Sequence, residues 1–253
     1  MMAFGTERKA VFTGSAVDQA AYDEGLRAYM LRVYNYMASG LALTGIVALV
    51  IAQMSVNFND AGQITSLTQL GHTLFNTPLK WVVMLAPLGL VFFLASKLHS
   101  MSFSGAQTTF WIYAGLMGVS MATIFMTFTG ASVARVFFIT AGTFAAMSLY
   151  GYTTKKDLSK FGSFLFMGLI GIIIASLVNI FLESSALQFA ISVIGVLVFV
   201  GLTAYDTQNI KNEYDEYHDE ETSGKLAISG ALRLYLDFIN LFIMLLHLFG
   251  DRR

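Results

Sequence analysis

Cysteine is absent from this chain of 253 residues, proline occurs only twice, and charged residues make up 12% of it. The lack of cysteine excludes disulfides, thiolate metal sites and a cysteine nucleophile together. The prolines, Pro78 and Pro87, are few enough to leave long helices unbroken. The shortage of charge excludes most. Soluble domains carry about 25% charged residues, so this chain cannot clothe a water-facing surface. Hydrophobic residues reach 56% and the mean hydropathy is +0.65. The chain is therefore an integral membrane protein, and its first partner is the lipid bilayer. A net charge of −1 with no basic block excludes nucleic acid as a partner. Four histidines without paired metal-ligand spacing argue against zinc or haem, and no resident cofactor is expected.

Seven apolar runs are present, at 34–54, 79–96, 108–128, 133–152, 161–182, 187–206 and 228–249. Each has about the 20 residues that a helix needs to cross a bilayer. The expected organisation is a polar segment 1–33, a seven-helix membrane domain 34–249 and a short tail 250–253. Within the first segment, Leu26, Met30 and Val33 lie on one helical side, with Asp23, Glu24 and Arg27 on others. That pattern suits a short amphipathic helix in the interface. No cleaved signal peptide is read there. The connections are short except 55–78 and 207–227. The latter carries Lys211, Glu213, Asp215, Glu216, Asp219, Glu220 and Glu221. Its acidic part, 213–221, is either a cation collector or a solvated linker. No internal repeat is visible, and an odd number of spans argues against two inverted halves.

Eleven of the fifteen Lys and Arg residues fall on the side of the N-terminus and four on the other. The positive-inside rule then places the N-terminus in the cytoplasm and the C-terminus outside. Ala114 with Gly118, and Gly171 with Ala175, are small-xxx-small pairs that suit close helix crossings.

The last run contradicts its own greasiness. Arg233, Asp237, Asn240, Met244 and His247 are spaced by four, three, four and three, so a helix puts them in one stripe. A stripe of that kind belongs inside a bundle. On the sixth run, Ser192, Gly195, Thr203 and Asp206 share one small and polar sector that suits it. An ionised carboxylate in a membrane costs several kcal/mol unless it is paired, hydrated or protonated. If Asp206 meets Asp237, the two share a proton and titrate as a pair. Their oxygens also form the hard site that Ca²⁺ accepts, so protons and Ca²⁺ compete there.

A plainer alternative stands beside this one. Arg233 precedes Asp237 by one turn and is placed to neutralise it as an i, i+4 pair. Asp206, followed by Gln208, Asn209 and Lys211, then becomes a solvated helix end. Asn240 and Thr203 are candidate pore-lining or packing residues, and His247 an interfacial one. Lys97, closing the second run, snorkels to water or reaches the acidic pair. No phosphate loop, nucleophile elbow or His-Glu-x-x-His is present, so no enzyme is expected. A retinal protein is excluded because no Lys lies between Arg233 and Asp251.

Three stretches carry a resemblance. They are Gly25-Leu26-Arg27-Ala28-Tyr29-Met30-Leu31-Arg32-Val33-Tyr34-Asn35-Tyr36-Met37, Gly201-Leu202-Thr203-Ala204-Tyr205-Asp206-Thr207-Gln208, and Ala231-Leu232-Arg233-Leu234-Tyr235-Leu236-Asp237-Phe238-Ile239-Asn240-Leu241-Phe242. From about residue 20 onward the chain resembles bacterial members of the Bax inhibitor one family. The resemblance implies an all-α fold of seven transmembrane helices, the C-terminal helix central and wrapped by the other six. It also implies a pH-sensitive Ca²⁺ leak in the bacterial cytoplasmic (inner) membrane, gated by an aspartate pair that matches Asp206 and Asp237. A basic residue at the end of the second span, here Lys97, engages the pair in some members. Some bacterial relatives are linked to a different role, implying a non-transporting regulator that binds a membrane protein such as a quality-control protease through residues 1–33.

Overall fold

The computed structural model describes residues 7–59 and 63–253. The chain is almost wholly helical. α1 (Glu7–Ser55) is followed by a small hairpin of β1 (Val56–Phe58) and β2 (Ile64–Leu67). Then come α2 (Gln69–Asn76), α3 (Leu79–Lys97), α4 (Phe103–Thr127), α5 (Gly130–Thr153), α6 (Ser159–Leu182), α7 (Ser185–Asn212) and α8 (Glu220–Phe249). Seven of these helices, all but α2, are long and apolar enough to span a membrane. The protein is an all-α membrane protein.

Helix starts follow local chemistry. Ser102, Thr129, Ser184 and Asp219 each sit just before a helix and accept a hydrogen bond from a backbone N–H of its first turn. That satisfies donors which have no partner inside the helix. Asp219 changes the picture of the acidic stretch. It caps α8, Glu220 and Glu221 lie in the first turn at the positive end of the helix dipole, and the connection shrinks to 213–219. Its hydrogen bonds from Thr222 hold the Asp219 carboxyl below the usual carboxylate range.

More of α8 is buried than of any other span. It packs directly against α1, α4, α5 and α7, while α3 leans chiefly on α4 and α6 on α7. Six helices thus surround the last one in two tiers, four in contact and two outside them. Hydrophobic side chains on the outer faces remain uncovered, Phe181 being 87% exposed, as expected where the neighbour is lipid.

Close crossings depend on missing side chains. At Gly118, a methyl would lie 2.8 Å from the Thr44 carbonyl oxygen. Thr44 Oγ1 donates to the Ala114 carbonyl across the same crossing at 2.8 Å, so the Ala114–Gly118 pair sets α1 against α4. Gly171 differs. Nothing lies within 4 Å of where its Cβ would be, and it makes no such crossing because α6 is an outer helix with that face towards lipid.

Pro87 lies inside α3 and has no N–H to offer the carbonyl of Val83. Ser120 of α4 donates its hydroxyl to that oxygen instead. Ser120 thus repairs a proline defect on a neighbouring helix.

Three further features refine the expected organisation. The polar N-terminal segment is not a separate short helix; α1 runs from it into the first span without a break. Leu26, Tyr29, Met30 and Val33 are buried in the protein core rather than in a lipid interface, while Asp23, Glu24 and Arg27 are exposed. The first six residues of segment 1–33 lie outside the described residues. Next, 55–78 is ordered by the hairpin, in which Val56 pairs with Leu67, and by α2. The tail 250–253 is held too: Thr129 N–H donates to Asp251 O at 2.9 Å and Arg253 N–H to Thr127 O at 3.0 Å.

Candidate functional site

The stripe on α8 faces α7 along nearly its whole length. The two helices run antiparallel, so partners on α7 fall in number as those on α8 rise. Arg233 donates to Glu213 Oε2 at 2.5 Å. Asp237 faces Asp206 across the seam, and the two carboxyls are close enough to interact directly. Met244 packs where a side chain at Gly195 would stand, its Cγ only 2.8 Å from the position a Cβ would take. His247 Nδ1 lies 3.1 Å from Gln188 Nε2. The α7–α8 seam is therefore the polar spine of the molecule.

Asp206 is not a solvated helix end. Hydropathy falls after it, but the helix continues to Asn212, because the following polar side chains find partners on the end of α5 and on the α5–α6 connection. Gln208 Oε1 accepts from Leu158 N–H at 2.8 Å and its Nε2 donates to Lys156 O at 2.8 Å. Lys211 Nζ donates to Tyr152 O at 2.9 Å and sits over the Tyr152 ring. A second string, Tyr34 to Ser148 at 2.6 Å and Ser148 to Thr207 at 3.0 Å, ties α1, α5 and α7 together beside the site. Asp206 thus sits more than a turn inside a fixed helix, and Asp237 is buried at 4% exposure.

The i, i+4 pairing of Arg233 with Asp237 does not occur. Among the described residues the ion pairs are Arg32–Glu220, Arg135–Asp251, Lys225–Glu221 and Arg233–Glu213. Arg233 remains within electrostatic range of both aspartates, but its bond goes to the α7 C-cap. Lys97 is exposed at the end of α3 and makes no ion pair with either carboxyl. It belongs to an outer helix and does not reach the seam. Thr203 Oγ1 donates to Phe199 O at 2.7 Å and Asn240 Nδ2 to Leu236 O at 2.8 Å. Both candidate pore residues are engaged with their own helix backbones.

Buried polar groups normally find partners. Among the described residues, five buried side-chain atoms do not: Tyr29 OH, Ser55 Oγ, Tyr113 OH, Arg233 Nε and Asp237 Oδ2. Asp237 and Arg233 belong to the cluster just described, and Tyr29 lies within electrostatic range of Glu213 and Arg233. Unspent donors and acceptors thus gather around the aspartate pair. Polar cavities lie towards both ends of the seam, one of about 220 Å³ beside Tyr29 and Tyr214 and one of about 460 Å³ beside Gln188 and His247.

Chemically, two facing carboxyls hold one shared proton or one hard cation. The described residues contain no group of three or more His, Asp or Glu side chains set to hold a metal. A cation at the pair would therefore complete its shell with water or backbone carbonyls. Tyr29 is not singled out by the sequence, and Glu213 reads there only as part of the acidic connection and not as a partner of Arg233. Glu213 follows Asp206 by seven residues and so shares its helical face, a signal hidden by ending the span at 206. Tyr29 falls between Leu26 and Met30 on the buried side of α1.

Residues 26–253 match the family model described as Bax1-I, inhibitor of apoptosis-promoting Bax1. The protein RP147 of Rickettsia prowazekii is 48% identical over 232 residues, covering 92% of this chain and 93% of the relative. The inner membrane protein YbhL of Escherichia coli K12 is 48% identical over 231 residues, 90% and 94% of the two chains. A membrane protein of Streptococcus pyogenes serotype M3, SpyM3_0260, is 35% identical over 228 residues, 90% and 94%.

Proposed function

The chain belongs to the Bax inhibitor-1 family, and from that premise we propose that it is a passive, pH-regulated cation leak whose cargo is Ca²⁺. The observation that carries this is the facing of Asp206 and Asp237 inside the α7–α8 seam, with a buried and unpartnered Asp237 oxygen. A buried carboxylate pair is costly in lipid unless something occupies it. Protons fill that role when the medium is acid, and a divalent cation competes with them as it becomes alkaline. The polar cavities towards the two ends of the seam supply entry and exit, and Met244 against Gly195 is the apolar constriction between them.

The proposed membrane is the bacterial inner membrane, by likeness to YbhL. The N-terminus is assigned to the cytoplasm because eleven of fifteen basic residues lie on its side. The proposed activity breaks no covalent bond and uses no catalytic residue. In this account Arg233, not Lys97, is the counter-charge nearest the pair.

The test is Ca²⁺ flux into proteoliposomes across a pH series, for the parent protein, Asp206→Asn and Asp237→Asn. Flux that varies with pH in the parent and loses that dependence in both variants supports the assignment. Variants with the parental pH profile refute it. A protein acting only by docking another membrane protein, such as a quality-control protease, would carry no flux at any pH. It would instead lose its partner on deletion of residues 1–20.

A further inference from the structure

Arg233 stands one turn from Asp237, yet its bond goes to Glu213 at the far end of a neighbouring helix. Something must hold Glu213 in place. The next residue, Tyr214, is seated on α1, its ring 5.3 Å from that of Tyr22 and 5.6 Å from that of Tyr29. Its hydroxyl occupies the space a side chain at Gly25 would need, so glycine at 25 makes the seat possible. Beyond the connection, Arg32 of α1 binds Glu220 at 2.6 Å. The segment 213–219 is thus fixed to α1 at both ends.

We propose that Glu213 is a positioning residue that holds the Arg233 guanidinium off the Asp206–Asp237 pair, and that the seat of Tyr214 on α1 is the latch that keeps it there. Opening the latch releases Glu213, and the freed guanidinium turns to the carboxyls one turn away. The groups that face this switch are few. α7 brings Asp206 and its cap Glu213, α8 brings Arg233 and Asp237, and α1 brings Tyr29. α4 carries no charged residue, and Arg135 of α5 is bound to Asp251 at the other end of the bundle. The unbonded Nε of Arg233 shows that Glu213 does not exhaust what this guanidinium can donate. The latch regulates the site and rests on the cation assignment made above for its consequence, but not for its geometry.

Two readouts separate them. The chain lacks cysteine, so Tyr217→Cys, at a side chain 87% exposed, gives one site for a nitroxide label on the connection. In proteoliposomes, Gly25→Val should dislodge Tyr214 and increase label mobility, with Tyr214→Ala doing the same. A label as immobile in both as in the parent overturns the latch, whatever the flux shows. For flux, Glu213→Gln should move the pH midpoint towards acid by about one unit, because an added cation beside carboxylates favours their ionised form. Glu213→Asp should stay near the parent, and adding Arg233→Gln to Glu213→Gln should cancel the shift. An unchanged midpoint in Glu213→Gln overturns the positioning role. If the parent itself shows no flux, or the aspartate variants keep its profile, the cation assignment is what fails, and the label alone decides the latch.

Discussion

Replacing Gly151 with alanine adds one methyl at the crossing of α5 and α7, two helices whose contact fixes the register of Asp206. That methyl would lie 2.9 Å from both the Cα and the carbonyl carbon of Ala204, and nearer still to its oxygen. These are backbone atoms two residues before Asp206, so no rotamer change relieves the clash, and the helices must part by several tenths of an ångström. Overpacking of this kind costs about 1–3 kcal/mol. Gly142 on the same helix provides the control, since nothing lies within 4 Å of its added methyl. There alanine should gain about 0.5–1 kcal/mol from helix propensity alone. For a chain of this size 1 kcal/mol corresponds to about 2–4 °C in Tm. The two variants should therefore differ by at least about 3 °C in thermal unfolding followed by circular dichroism in detergent, Gly142→Ala the higher. Equal melting temperatures, or a Gly151→Ala protein as stable as the parent, would refute the claim that this crossing is limited by backbone contact.

Ser120→Ala should lower stability by about 1–3 kcal/mol, the cost of leaving the part-buried Val83 carbonyl without a donor. Pro87→Ala in that background should recover much of the loss by restoring an N–H; a double-mutant cycle in thermal unfolding checks this, and strict additivity would contradict it. Gln208→Ala should loosen 156–158 and raise hydrogen exchange at the Leu158 amide, because both bonds from that side chain disappear. The Asp219 carboxyl is held below its unfolded value, so its contribution is complete above the ordinary carboxylate range and lost as pH falls through the lowered value. Protection of the Thr222 amide, relative to its intrinsic exchange rate, should fall with acid in the parent and be low at every pH in Asp219→Ala.

The seven spans were legible because each depends on a long apolar run, which composition alone reveals. The polar stripe on α8 was legible for the converse reason, since Arg233, Asp237 and His247 stand out against leucine and phenylalanine. The ends of the helices were not. α7 outruns its apolar segment by six residues, sustained by Gln208 and Lys211 bonding to the end of α5 and the connection after it, which are distant in sequence. That extension carries Glu213 to Arg233, and so the partner of Arg233 was hidden too. Nor does sequence spacing reveal which small residues make crossings. Gly118 and Gly171 sit in the same kind of pattern, and only packing distinguishes the helix that meets a neighbour from the one that meets lipid. Ser120 answers a proline on another helix, a relation that helical periodicity cannot express.

The central claim is that Asp206 and Asp237 form one site for which protons and Ca²⁺ compete. Its most direct test is proton release on adding Ca²⁺ to the purified protein in weakly buffered detergent, followed with a pH dye. The account predicts release from the parent at a pH where the pair still holds its shared proton, and none from Asp206→Asn or Asp237→Asn. Equal release from parent and variants, or none from the parent at any pH, would contradict it.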